Sequence, residues 1–131
     1  MSELLMSRQL DTVQTQEKLN DVYSFSGANE PGGASHHYVV VKAGTDYEDP
    51  TNTVGIVKFQ KGPRKEEGSV SGVLDCDLLE MVKDRLEGFQ RGPYASEYNE
   101  QALIHIKEAL YWMNKRVEDR IARNVLGTTE K

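Results

Sequence analysis

Three arginines near the end of the chain have the type and spacing for anion binding. Arg116, Arg120 and Arg123 stand at i, i+4 and i+7, so a helix would carry all of them on one face. Like charges at i, i+4 destabilise an isolated helix by roughly 0.2–0.5 kcal/mol per pair, whereas an anion lying along the face reverses the sign. Because guanidinium groups bind phosphate through two N–H bonds, the row indicates a phosphate-bearing ligand. The alternative to a bound anion is that these arginines form ion pairs with Glu118 or Asp119. Asp119 stands four positions before Arg123 and is well spaced to pair with it.

A repeated corner motif is the second candidate. The sequence Phe-Gln-x-Gly-Pro occurs at residues 59–63 and again at residues 89–93. At such a corner the ring could stack on a base while the amide reads the edge of the base. The alternative is that both motifs are structural corners with a buried phenylalanine. Arg64 and Lys65 follow the first corner and would add positive charge if the strands fold back over the C-terminal helices.

The sequence lacks the common catalytic and metal motifs. It contains no P-loop, no G-x-G-x-x-G, no H-E-x-x-H and no G-x-S-x-G. His36 and His37 are neighbours in a predicted strand, so they point to opposite faces and cannot chelate one ion together. Cys76 is the single cysteine, and no histidine partners it in sequence. We therefore expect no catalytic residues, no metal site and no cofactor.

Composition narrows the class of protein. The 131 residues correspond to about one domain, and 21 acidic against 16 basic side chains give a net charge of −5. This acidity argues against a general binder of nucleic-acid polymers. No apolar run approaches the ~20 residues that cross a bilayer, and the first residues do not form a secretory signal. A soluble protein of a reducing compartment is expected.

The hydrophobic pattern predicts elements that could position these residues. We expect a polar helix over residues 2–20, strands at 36–43 and 53–60, and amphipathic helices at 75–90 and 96–124. Asp75 is expected to cap the first of the two long helices. A Gly-Pro turn between those helices predicts an antiparallel hairpin.

The predicted fold class is α+β. A small antiparallel sheet would be followed by a long antiparallel helical hairpin, with the N-terminal helix in front. The segments 1–35, 36–73 and 74–131 are expected to form one domain overall. Because a lone hairpin cannot bury its apolar stripe fully, we expect a homo-oligomer.

Three stretches of the sequence carry a resemblance to a known family. They are FQKGPRKEEG at 59–68, LLEMVKDRLEGFQRGPYASEYNEQAL at 78–103 and ALYWMNKRVEDRIARNVLGT at 109–128. Their combined pattern resembles the phage Thoeris anti-defence sponges of the first-described type, whose C-terminal hairpin is shared with anti-CBASS sponges.

The resemblance implies a function. Members of this family bind cyclic ADP-ribose isomers made by bacterial TIR-domain enzymes and sequester the signal without cleaving it, so the immune effector is not activated. They are dimers or hexamers, and some also bind cyclic trinucleotides in separate pockets. For this chain the resemblance implies a glycocyclic ADP-ribose-type ligand, self-association and action in the cytoplasm of the infected bacterial host. It implies no cofactor, no nucleic-acid polymer and no membrane as partner.

The resemblance also implies site residues. The positions that match the family's ligand pocket are Phe89, Asn99, Arg116, Arg120 and, from the strand side, Arg64. Phe89 would stack on adenine, and Arg116 and Arg120 would clamp the pyrophosphate. Asn99 would offer a donor and an acceptor to a ribose or base edge, and Arg64 would close the pocket.

A second pocket is implied at the C-terminal tail, where Arg123, Gly127 and Thr128 match the part implicated in cyclic-oligonucleotide binding. Two other classes of protein remain as alternatives to a sponge. One is an enzyme that hydrolyses the same signal. The other is a phage structural or adaptor protein whose hairpin only oligomerises.

Overall fold

The computed structural model describes residues 6–26 and 30–131. Within these ranges the chain forms an antiparallel sheet followed by two helices, which confirms the predicted α+β class. The strands are β1 (Met6–Gln9), β2 (Asn20–Ser26), β3 (His37–Lys42) and β4 (Thr53–Lys58), and the helices are α1 (Asp75–Gln90) and α2 (Glu97–Ala122). Short 3-10 turns lie at Pro31–Gly33 and Pro50–Asn52.

The N-terminal segment contains the strand β1 and the start of β2. The predicted helix over residues 2–20 is therefore wrong for the described residues from Met6 onward. Its residues before Met6 lie outside the described part of the chain. A helix here would have a thin apolar face, and a short helix without packing is barely stable in water. The strand β2 instead places Tyr23 and Phe25 on one face, where both rings contact Tyr47 at centroid distances of 4.6 and 5.7 Å. Glu17, with a φ of 55°, lies in the connection between β1 and β2.

The sheet has the strand order β1-β2-β3-β4, and every neighbouring pair is antiparallel. The register aligns Phe25, His37 and Lys58 in one row across β2, β3 and β4. Val39 and Val41 of β3 are 9% and 0% exposed, so the core of the sheet lies along this strand.

The strands predicted at 36–43 and 53–60 are confirmed as β3 and β4. The chain that follows β4 turns back on itself, because Lys61 and Val70 exchange both backbone hydrogen bonds at 2.8 Å. Gly72 permits this approach: a Cβ there would lie 2.4 Å from the carbonyl carbon of Phe59.

The helix α1 has the predicted bounds, but its cap differs from the expected one. Leu74 rather than Asp75 occupies the N-cap position, and its N–H donates to Oδ2 of Asp77 at 2.8 Å. A carboxylate at the third position closes the first turn and lies at the positive end of the helix dipole.

The helix α2 begins at a side-chain cap and ends at a backbone cap. Oγ of Ser96 accepts from the N–H of Asn99 at 3.1 Å. At the other end Asn124 adopts a left-handed φ of 59°, and its N–H donates to the carbonyl of Ile121 at 2.9 Å. This cap ends α2 at Ala122, before the predicted end at residue 124.

The chain divides into two compact units. The sheet unit contains the strands up to Gly62 and the segment Gly68–Gly72, and the helical unit contains Pro63–Glu67 and Val73–Lys131. In the helical unit Leu103 is 3% exposed, and Glu87 of α1 lies 3.7 Å from Lys107 of α2. Neither helix combines the length and apolar content needed to cross a bilayer.

Leu103→Ala tests whether this side chain is the centre of the helical unit. We expect it to lower the free energy of unfolding by about 2–5 kcal/mol, because a buried leucine loses its contacts and leaves a cavity. Ile104→Ala is the matched control, since Ile104 is the next residue on the same helix and is 47% exposed. Chemical denaturation measures the free energy of unfolding of both variants. Equal losses in Leu103→Ala and Ile104→Ala would show that Leu103 is not the centre of the helical unit.

Candidate ligand-binding site

Phe89 and Asn99 lie at the turn that joins α1 to α2. Phe89 is half-buried in the last turn of α1, and the guanidinium carbon of Arg85 lies 5.1 Å from the centre of its ring. Nδ2 of Asn99 donates to the carbonyl of Tyr94 at 3.1 Å. Because a side-chain amide has two donors and one acceptor oxygen, Asn99 keeps polar groups for a ligand after making this bond.

The amides of the two corner motifs bind the backbone of their own corners. Nε2 of Gln90 donates to the carbonyl of Ser96 at 3.0 Å, and Oε1 accepts from the N–H of Ser96 at 2.9 Å. Nε2 of Gln60 donates to the carbonyl of Gly62 at 3.0 Å. These contacts agree with the structural alternative for the amides, which hold the turns closed.

The three arginines of α2 lie in three different environments. Arg116 is exposed, and no described residue forms a hydrogen bond or an ion pair with it. Arg123 donates from Nε to Oδ2 of Asp119 at 3.1 Å, which confirms the pairing that its spacing suggested. Arg120 is 7% exposed. The row is therefore not a uniform charged face.

Arg120 anchors the C-terminal tail. Its Nη2 lies 2.9, 3.0 and 2.7 Å from the carbonyl oxygens of Val125, Thr128 and Glu130. The two N–H bonds of this nitrogen are shared among three acceptors, while Nε and Nη1 have no hydrogen bond to a described residue. One edge of the guanidinium thus holds the tail, and the other edge carries donors that an anion could use.

The tail passes closely over the residues that follow the first corner. The carbonyl of Gly127 accepts from the N–H of Lys65 at 2.8 Å. Gly127 has a φ of 81°, and a Cβ there would lie 3.1 Å from Cγ of Arg64. Oγ1 of Thr128 donates to the carbonyl of Val125 at 2.6 Å. Arg64 therefore belongs to the helical unit, beside the tail.

The expected site residues form two groups along the hairpin. The turn-end group consists of Phe89 and Asn99. The open-end group consists of Arg64, Arg116, Arg120, Arg123, Gly127 and Thr128. Asn99 and Arg116 both lie on α2 and are about 26 Å apart along its axis at ~1.5 Å per residue. One copy of the chain does not bring the two groups into a single pocket.

Sequence reasoning missed the contacts that hold the tail. Oε1 of Glu66 accepts from both the N–H and the hydroxyl of Thr129 at 3.1 Å. These partners are 63 residues apart, so no local pattern marks them. The burial of Arg120 had a signal, because it stands three positions after Val117 and directly before Ile121, next to the apolar stripe of α2.

The described residues contain no group of three or more side chains that could hold a metal ion.

Comparison with known proteins places this hairpin in a family. The model of the Acb2/Tad1 hairpin domain matches residues 53–118. Thoeris anti-defense 1 of Bacillus phage SBSphiJ7 is 36% identical over 116 residues, which cover 75% of this chain and 81% of that protein. The chain belongs to the Acb2/Tad1 hairpin family. The resemblance to the Thoeris anti-defence sponges is thereby confirmed.

The match to the Acb2/Tad1 hairpin family covers only part of the expected site. Residues 53–118 include the turn-end group together with Arg64 and Arg116. The tail residues and Arg120 follow the end of this range.

Arg120→Ala is expected to release the tail. Losing hydrogen bonds from a charged donor should lower the free energy of unfolding by about 1.5–3 kcal/mol and speed amide exchange in residues 125–131. Arg116→Ala removes the same type of side chain from an exposed position and is the control. Hydrogen–deuterium exchange read by mass spectrometry measures both. Equal protection of the tail in Arg120→Ala and the parent would show that Arg120 does not anchor it.

Proposed function

We propose that this protein binds a cyclic ADP-ribose-type signal made by TIR-domain enzymes and sequesters it, so that the immune effector of the host is not activated. The observation that carries the proposal is membership of the Acb2/Tad1 hairpin family, together with a relative named for anti-Thoeris activity. The geometry supports it, because exposed Arg116 lies one helical turn from the free edge of Arg120.

The proposed roles follow from side-chain chemistry. Arg116 and Arg120 bind the pyrophosphate, since two guanidinium groups one turn apart provide charge-assisted donors for its oxygens. Phe89 stacks on the adenine ring, and Asn99 binds a ribose or base edge. Arg64 closes the site from its position beside the tail.

The separation of the two groups requires a second copy of the chain. A small cyclic ligand cannot span about 26 Å between Asn99 and Arg116 of one helix. If two α2 helices pack antiparallel, the turn-end group of one copy lies beside the open-end group of the other. A two-fold pair of this kind forms the same site twice.

The helix α2 has a face suited to this pairing. Its members recur every three or four positions and are Tyr98, Ala102, His105, Ala109, Trp112 and Arg116. In an antiparallel pair centred near residue 107, Tyr98 faces Arg116 of the second copy and Ala102 faces Trp112 of the second copy. Tyr98 is 87% exposed and Trp112 is 65% exposed, so both are available for the contact. Small residues opposite large ones let the helices approach closely.

We propose sequestration rather than cleavage because of the types of residue in the site. Arginine stays protonated and cannot act as a general base, and phenylalanine and asparagine provide no activated nucleophile. These side chains bind charge and ring surface, which is sufficient to retain a ligand.

We further propose that the C-terminal tail forms a second pocket, which binds cyclic trinucleotides. The tail loop supports it, because Arg64 is exposed and its side chain lies directly beside Gly127. Arg123 and Thr128 flank this loop. Arg123 already pairs with Asp119 and donates from Nη1 to the carbonyl of Lys131, so a ligand there would compete with an exposed ion pair and one hydrogen bond to the tail.

Recovery of the ligand separates the three classes of function. The protein is mixed with a cyclic ADP-ribose isomer and freed of excess ligand, then heat-denatured, and the released compound is identified by mass spectrometry. A sponge returns the intact ring, an enzyme returns a cleaved product, and a structural or adaptor protein returns nothing. Either of the last two outcomes would overturn the proposal.

Arg116→Ala is expected to weaken binding without changing stability. An exposed arginine that contacts only ligand contributes about 1.5–3 kcal/mol to binding, or roughly 10- to 150-fold in Kd. Lys115→Ala is the matched control, because Lys115 is the preceding residue, has the same charge and contacts only Glu118 and the exposed ring of Tyr111 among the described residues. Calorimetric titration giving the same Kd for Arg116→Ala and Lys115→Ala would remove Arg116 from the site.

Ala102→Glu tests the proposed pairing of copies. A carboxylate placed against Trp112 of the second copy should be desolvated without a partner, so we expect the variant to be monomeric. Ile104→Glu adds the same charge on the opposite side of α2 and should leave the assembly unchanged. Light scattering reports the mass of each variant, and an unchanged assembly in Ala102→Glu would show that this face is not the interface.

A further inference from the structure

The sheet unit contains a cavity that the hairpin site does not include. Its volume is about 180 Å3, and the lining residues used below are Phe25, Glu30, His37, Lys58, Phe59 and Lys61. All of them belong to the sheet unit. The cavity lies over one end of the strands β2, β3 and β4, where the chain turns back after β4.

The floor of the cavity is a row of side chains in register. Phe25, His37 and Lys58 pair directly across β2, β3 and β4, so they lie on the same face of the sheet. The rings of Phe25 and His37 are 5.6 Å apart and tilted by 36°. A further ring, Tyr47, packs against Phe25 in an edge-type contact with a centroid distance of 5.7 Å. The row therefore forms an aromatic surface, made by Phe25 and His37, with the ammonium group of Lys58 at one end.

The charge around the cavity favours an anion. Lys58 extends from the floor, and Lys61 lies on the wall, where its Nζ is 3.5 Å from Oε2 of Glu30. Two ammonium groups therefore face one carboxylate. The pKa of His37 is lowered by its burial and by the neighbouring charge of Lys58. The imidazole is thus neutral in the free protein near pH 7, and a bound anion would favour its protonation.

We propose that this cavity binds a nucleoside monophosphate, with the base on the Phe25–His37 surface and the phosphate between Lys58 and Lys61. Aromatic side chains on a sheet stack bases without regard to sequence, and ammonium groups bind phosphate. The proposal is independent of the hairpin function, because the cavity uses no residue of the helical unit.

Protonation of His37 should contribute to tighter binding as the pH falls below 7. The phosphate would stabilise the imidazolium of His37 and raise its pKa, so binding takes up a proton. The charged and titratable groups around this imidazole are Lys58 on β4, His36 beside it in the chain, and Glu30 and Lys61 on the wall. The second pKa of a phosphate monoester lies at about 6, so the part played by His37 is read from its own ring rather than from the affinity alone.

The test is calorimetric titration with adenosine monophosphate, adenosine and inorganic phosphate. The protein carries Arg116→Ala, which weakens binding at the hairpin site, so that the failure of one proposal can be told from the failure of the other. We expect adenosine monophosphate to bind more tightly than adenosine or phosphate. Lys58→Gln should weaken its binding by about 10- to 100-fold. Lys42→Gln is the matched control, since Lys42 is an exposed lysine on β3 outside the cavity.

NMR titration of the His37 ring gives a second readout. Its pKa should rise when adenosine monophosphate is bound, and it should not change when adenosine alone is added. Absence of binding by adenosine monophosphate would overturn the proposal. Equal loss of affinity in the Lys58 and Lys42 variants, or an unchanged His37 pKa in the complex, would also overturn it.

Discussion

The continuity of α2 constrains everything that the hairpin can do. The helix runs without a break from Glu97 to Ala122, so Asn99 and Arg116 are held about 26 Å apart along its axis. A kink would shorten this distance, but α2 contains neither proline nor glycine. The groups proposed to bind the base and the phosphate therefore cannot meet within one copy. The proposed site depends on an antiparallel neighbour, and the exposed Tyr98 and Trp112 are explained by the same neighbour.

The C-terminal tail connects the structure of the hairpin to its proposed chemistry. Arg120 holds three tail carbonyls with one nitrogen, and the other edge of its guanidinium is the part that we propose for anion binding. The tail in turn lies against Arg64 and accepts a backbone hydrogen bond from Lys65. Arg120 thus holds the tail together with Glu66 and Arg123, and the tail in turn shapes the surroundings of Arg64. A structural role and a binding role for Arg120 are compatible, because they use different N–H groups.

The helices could be predicted from the sequence because their signals are local. The apolar stripe of α1, the cap at Ser96 and the Gly-Pro turn all act within a few residues. The N-terminal segment could not be predicted in this way. Its strands exist because β2 pairs with β3, and the rings of Tyr23 and Phe25 pack on Tyr47, which is more than twenty residues further along the chain. Long-range pairing of this kind overrides weak helical periodicity.

The candidate site, like the fold, could be predicted from the sequence only where its signals are local. The residue types of the arginine row were visible in the sequence, as was the spacing of Asp119 and Arg123. The different environments of Arg116 and Arg120 were not, because they depend on where the tail folds. The cavity of the sheet unit was also hidden, since it arises from the register of three strands and from the turn after β4.

The central claim is that the site is shared between two copies, and mixing two inactive variants tests it most directly. Phe89→Ala removes the turn-end group and Arg116→Ala removes the open-end group. In a mixed pair, one shared site carries both changes and the other carries neither. Calorimetry of the two variants mixed in equal amounts and allowed to exchange should therefore restore parental affinity at about a quarter of the parental sites. If the mixture binds no better than the separate variants, although mixed pairs are detected by native mass spectrometry, the site lies within one copy and the account is wrong.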